Sequence, residues 1–176
     1  AAGGDAQARH RRIVHGGPGF IRVDVDEVTD PAHIRARDEL EKALVSGDLP
    51  LAELPQAFNE RIHSLLGLRV PDDRQGCLQD IHWPAGLFGY FPCYALGAMT
   101  AAQLRQAACA QVPAILPAIE QGDFAPLLGW LRTHVHGRGS SVALRQIVQD
   151  ATGAPLGADA YLAHLRNRYV DRAPNA

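Results

Sequence analysis

The stretch Gly76-Cys77-Leu78-Gln79-Asp80-Ile81-His82-Trp83 packs an amide, a carboxylate, an imidazole and an indole into one short segment. Asp80 or Gln79 is placed to orient His82. An oriented imidazole can act as a general acid, or donate to negative charge as it develops, while Trp83 keeps water away from it. The same residues also suit a buried polar knot that holds a long loop in shape, and the chemistry of the segment leaves both readings open. Other chemistries find less support. Eight histidines are present, yet none forms His-Glu-x-x-His or a His-x-x-x-His pair. The closest two, His134 and His136, have no evident third ligand nearby, so the chain itself offers no zinc set. Cys77, Cys93 and Cys109 are odd in number and lack Cys-x-x-Cys spacing, which argues against a disulfide framework and a zinc knuckle. Ser140 and Ser141 follow Gly137 and Gly139 without the Gly-x-Ser-x-Gly elbow of an exposed nucleophile.

The elements that must position these residues are helical. Over Phe20 to Asp26, Ile21, Val23 and Val25 alternate with Arg22, Asp24 and Asp26, which predicts a short strand or extended segment. Thr29 or Asp30 can cap a helix with Pro31 in its first turn, and Gly47 stops it. A second helix carries Leu54, Phe58, Ile62, Leu65 and Leu66 and ends at Gly67. Residues 67 to 91 have no sustained period but are dense in His, Trp and Tyr, marking a long ordered loop where chemistry would reside. Helices then fit Pro92 to Gln111, Ile115 to Gln121, Asp123 to His134, Ser141 to Asp150 and Asp159 to Tyr169. The fold class is mainly α, a single helical domain over 20–170. A glycine-rich flexible arm (1–19) precedes it and a short tail (171–176) follows.

Composition narrows the partners. The 176 residues are 47% apolar and 20% charged, a globular balance. A net charge of -2 gives no reason to expect nucleic acid or an anionic membrane. Pro84 to Gln103 carries no formal charge, but Pro84, Gly86, Gly89, Pro92 and Gly97 interrupt it, so a loop leading into a core helix is expected rather than a membrane span. The unpaired cysteines fit a reducing, cytoplasmic setting. The first residues hold neither a Met nor a basic-then-apolar leader, so the natural N-terminus is expected to lie elsewhere.

Gly76 to Trp83 resembles the Gly-x-x-Gln-Asp-x-His-Trp signature of the thermostable (Taq-type) carboxypeptidase family of zinc metallopeptidases. Ile21-Arg22-Val23-Asp24-Val25-Asp26 resembles that family's Ile-Arg-x-x-Ala-Asp motif, and Gly89-Tyr90-Phe91-Pro92-Cys93-Tyr94-Ala95-Leu96-Gly97 its Gly-Tyr-Phe-Pro-x-Tyr-x-Leu-Gly segment. Glu39 to Leu44, Gly122 to Phe124, Trp130-Leu131, Thr152-Gly153 and Tyr169 fall in the family order, so the likeness runs from about Phe20 to Tyr169. Val25 departs from the family's Ala and Asp30 from its common Tyr. The His-Glu-x-x-His helix and the downstream Glu, which precede these motifs in family members, are absent.

The resemblance therefore implies the C-terminal third of a larger all-helical metallocarboxypeptidase, which releases C-terminal amino acids from peptides. It implies zinc or another divalent metal in the complete enzyme, held by no ligand of this chain, and inactivity of the chain alone. Arg22 would bind the substrate's C-terminal carboxylate through its planar fork, oriented by Asp24 and Asp26. His82, steered by Asp80, and Tyr94 or Tyr90 would donate to the scissile carbonyl oxygen. The implied catalytic residues are His82, Tyr94 and Asp80, and the implied substrate-binding residues Arg22, Gln79 and Tyr90. Partners would be a peptide with a free C-terminus, the missing metal-bearing N-terminal region and a homodimer mate. The alternative is a non-catalytic helical interaction or dimerisation module derived from that family.

Overall fold

The computed structural model describes residues 16–171, so the arm and the tail lie almost wholly outside the described residues. Every regular element among those residues is a helix, in keeping with the mainly α class expected from the sequence, and the chain forms two compact units.

The first unit comprises residues up to Ala95 together with the segment from Asn167. Its helix α1 (Asp30–Ser46) begins with Pro31 in the first turn and ends at Gly47, whose φ of +84° is a left-handed stop. Helix α2 (Leu54–Leu66) ends the same way at Gly67, with φ +71°. Both helices repeat an apolar side chain every fourth residue: Ala36 and Leu40 on α1, and Leu54, Phe58 and Ile62 on α2, pack with Cys77 into one cluster. Phe58 and Ile62 are fully buried there, and truncating such a side chain costs about 2–5 kcal/mol.

The expected strand at 20–26 is instead a single 3₁₀ turn, Arg22–Asp24, between extended Ile21 and Val25. Burial does not follow the alternation either: Arg22 is buried, Val23 is 73% exposed and Asp24 is exposed too. The reason lies far along the chain. Gln79 replaces the missing neighbour strand, its Oε1 accepting the Arg22 backbone N–H at 2.9 Å and its Nε2 donating to the Phe20 carbonyl at 3.1 Å. Alternation measures which side chains share a face, but ion-pair partners inside the fold drew Arg22 alone inward and left Asp24 exposed.

The 67–91 loop is built from successive turns, in which Leu78 N–H donates to the Asp73 carbonyl at 2.9 Å and Leu87 N–H to that of His82 at 2.8 Å. Gly76 opens its motif in a crowded place: a Cβ there would meet the Asp72 carbonyl oxygen and Val70 Cγ1 at 3.2 Å. The loop is pinned to α1 by Glu41, a buried carboxylate that accepts the Trp83 indole N–H at 2.8 Å and the Gly89 backbone N–H.

The second unit runs from Leu96 to Arg166. It contains most of α3 (Pro92–Gln111), then α4 (Ile115–Glu120), α5 (Ala125–His134), α6 (Leu144–Thr152) and α7 (Asp159–Arg166). Ala108, Ile115, Trp130 and Ala151 form its core. Helix α6 starts three residues later than the sequence suggests, after extended Ala143. The expected helix to Tyr169 stops being α at Arg166 and continues as a π turn, Asn167–Asp171. No helix among the described residues is long and apolar enough to cross a membrane.

Candidate functional site

All six residues singled out from the sequence meet in the first unit. Gln79, locked by its amide to the carbonyls of Phe20, Gln75 and Gly76, fixes the backbone at Arg22. The Arg22 guanidinium then lies over the Tyr94 ring, 4.4 Å from its centroid. Tyr94, in the first turn of α3, shares a 2.9 Å hydrogen bond between its hydroxyl and His82 Nε2. Tyr90 closes the group, with its ring centroid 5.4 Å from that of Tyr94 and 5.5 Å from that of His82.

Arg22 differs from expectation in what holds it. Its partners are Asp80, whose Oδ1 lies 3.5 Å from Nε, and Asp30, whose Oδ1 lies 3.7 Å from Nη1, rather than Asp24 and Asp26. Asp24 is exposed. Asp26 is committed to the turn before α1, accepting N–H groups of Gly17, Val28 and Thr29 and the Thr29 hydroxyl, and these bonds hold its carboxyl below the usual range although burial acts the other way. Among the described residues the terminal Nη nitrogens of Arg22 make no hydrogen bond.

Asp80 is the hub. Its Oδ1 faces Arg22, and its Oδ2 is paired with Nε of Arg37. His82 Nδ1 lies 3.8 Å from Oδ1, which is an electrostatic contact and too long for a hydrogen bond, and that nitrogen is buried without a partner among the described residues. The imidazole is therefore fixed by Tyr94 and by packing on Phe91, 4.4 Å between centroids, more than by the carboxylate.

Arg37 and His33 escaped the sequence reading. Both are fully buried. Arg37 Nη1 donates to the His33 carbonyl at 3.0 Å and faces its Nδ1 at 3.3 Å, while His33 Nε2 lies 2.9 Å from the Gly19 carbonyl oxygen. These contacts suit a neutral imidazole with its proton on Nε2, and burial, reinforced by the Arg37 charge, pushes the His33 pKa down to about 4. Burial also lowers the Arg37 pKa, with Asp80 opposing. A signal existed: Arg37 and Glu41 interrupt the apolar stripe Ile34, Leu40, Leu44 of α1, and charges at core positions need partners.

Among the described residues no three His, Cys, Asp or Glu side chains converge as a metal set. His134 is stacked on Trp130, 4.7 Å between centroids.

Residues 4–169 match the model of a family described as Carboxypeptidase Taq (M32) metallopeptidase. Carboxypeptidase 1 of Bacillus subtilis (strain 168) is 42% identical over 159 residues, covering 90% of this chain and 32% of that protein. Thermostable carboxypeptidase 1 of Thermus thermophilus is 43% identical over 153 residues, covering 87% of this chain and 30% of that protein. Among solved structures, the M32 carboxypeptidase from Deinococcus radiodurans R1 aligns with a TM-score of 0.91 at 35% identity, over 97% of this chain and 34% of that one. Trypanosoma cruzi metallocarboxypeptidase 1 aligns with a TM-score of 0.85 at 39% identity, over 90% and 34%. The chain thus spans about a third of the length of the relatives it matches.

Proposed function

The chain belongs to the carboxypeptidase Taq (M32) metallopeptidase family, and from that premise we propose that it forms the substrate-facing wall of a metal-dependent carboxypeptidase. In this reading it supplies substrate-binding and transition-state groups, while the metal ligands come from outside the described residues and the isolated chain is inactive. A divalent metal such as zinc in the complete enzyme supplies Lewis-acid chemistry; no residue described above is assigned to hold it.

One observation carries the reading: Arg22 stacks on Tyr94, and Tyr94 is hydrogen-bonded to His82, so a carboxylate anchor lies beside a carbonyl-oxygen donor that is itself held by an imidazole. The terminal fork of Arg22, free of hydrogen bonds among the described residues, takes the substrate's C-terminal carboxylate. His82 donates from Nε2 to the Tyr94 hydroxyl, which in turn donates to the scissile carbonyl oxygen as it gains charge, and Tyr90 borders the side chain of the departing residue. Asp80 and Gln79 keep Arg22 in place. Specificity for a free C-terminus follows, because an amidated end offers the fork no charge.

The test is Arg22→Ala in the metal-loaded assembly that contains this chain. Two or more charge-assisted hydrogen bonds are lost, so kcat/KM on peptides with a free C-terminus should fall roughly ten- to several-hundred-fold. Residual cleavage of amidated peptides should be spared, and Arg22→Lys should restore only part. Equal losses on free and amidated substrates would reduce Arg22 to scaffolding.

A further inference from the structure

Arg22 faces two carboxylates of its own chain, and they are held very differently. Asp80 is locked: its side chain is 10% exposed and its second oxygen is paired with the fully buried Arg37. Asp30 is loose. Its side chain is 30% exposed, and its 3.7 Å approach to Nη1 is an ion pair without a hydrogen bond. It sits at the first residue of α1, where the helix N-terminus favours negative charge and gives it another resting place when it swings away. Burial raises its pKa although Arg22 and Arg37 act the other way, so the pairing does not fully repay desolvation.

We propose that Asp30 is an internal competitor for the Arg22 fork, occupying the approach to Nη1 that an incoming carboxylate must take and thereby setting how tightly ligands with a free carboxylate are held. The inference rests on the reading of Arg22 as carboxylate anchor. Substrate entry is then an exchange of one carboxylate for another: Asp30 turns outward, the ligand takes its place, and Asp80 keeps the guanidinium aimed throughout. Asp30 is thus a specificity-determining residue that weakens retention of carboxylates and favours release of a product amino acid, whose own free carboxylate would otherwise hold it at Arg22.

The experiment follows the Arg22 Nε–H resonance of the whole 176-residue chain during titration with N-acetyl-alanine and with N-acetyl-alaninamide. Asp30→Asn, nearly isosteric, should bind N-acetyl-alanine roughly three- to tenfold more tightly than the unsubstituted chain. The amide should bind none of the proteins. Asp24→Asn, which removes an exposed charge two residues from Arg22 that does not pair with it, should leave affinity unchanged. Equal affinity of Asp30→Asn and the unsubstituted chain, or weaker binding by the variant, overturns the competitor while leaving Arg22 an anchor. An equal gain in Asp24→Asn replaces it with a net-charge effect. Failure of every protein to bind N-acetyl-alanine at tens of millimolar, a concentration range at the weak end of measurable affinity, overturns the anchor itself.

Discussion

Replacing Asp80 with Asn should be among the most damaging single changes to the first unit, although it alters few atoms. The carboxylate is the charged partner of Arg37, which is fully buried, and of Arg22, whose side chain is 9% exposed. Asn keeps one carbonyl acceptor and removes the charge. Arg22 retains Asp30 at 3.7 Å, but the other hydrogen-bonding contacts of Arg37 are the neutral ring and carbonyl of His33. Breaking a buried pair by removing one partner costs about 3–5 kcal/mol because the remaining charge is stranded, a large part of the roughly 5–15 kcal/mol that stabilises a typical domain. Removing the stranded cation as well should recover most of the loss, so Arg37→Met/Asp80→Asn should lie within about 2 kcal/mol of the original chain. Urea unfolding followed by Trp83 fluorescence in a Trp130→Phe background isolates the first unit, since these are the chain's two tryptophans. A cost below about 1 kcal/mol for Asp80→Asn, or a double variant as unstable as the summed singles, would refute the buried-pair argument.

Two other expectations come from buried groups of α1. The unfolded chain protonates His33 near its ordinary pKa of 6.5 while the folded chain resists until about 4, so stability is fully present above pH 6.5 and lost as the pH falls toward 4. The contribution is about 3 kcal/mol, partly offset by Asp30, whose raised pKa acts in the opposite sense; unfolding at pH 7 and pH 5 should differ, and His33→Gln should flatten the difference. Glu41→Ala strands the Trp83 and Gly89 donors and should cost about 2–4 kcal/mol, with amide exchange at Gly89 accelerating more than at Phe58 in the α2 core; unchanged exchange at Gly89 would contradict the clamp.

The helices were legible because their signals are local. Gly47 and Gly67 end α1 and α2 where the apolar repeat ends, and Pro92 opens α3 where the loop's turn residues stop. That Arg22, Gln79, Asp80, His82, Tyr90 and Tyr94 belong together was suggested by the family motifs they resemble, and the fold does gather them in one place. The wiring between them was not legible. The amide of Gln79 bonds 57 residues back to Arg22, and Asp80 bonds 43 residues back to Arg37, separations that no pattern within a window of residues reports. The same long-range contacts converted an alternating segment into a 3₁₀ turn with Arg22 buried, and gave Arg22 the partners Asp80 and Asp30 in place of its sequence neighbours.

The central claim is that Arg22, Tyr94 and His82 receive the C-terminal end of a peptide. The most direct measurement is a crystal structure of the metal-loaded assembly containing this chain, with a non-cleavable peptide ligand ending in a free carboxylate. The ligand carboxylate should lie within about 3 Å of the Arg22 terminal nitrogens, with Asp30 turned away and the penultimate carbonyl oxygen at hydrogen-bond distance from Tyr94. A carboxylate held by another cation, with Arg22 still paired to both Asp30 and Asp80, would contradict the account.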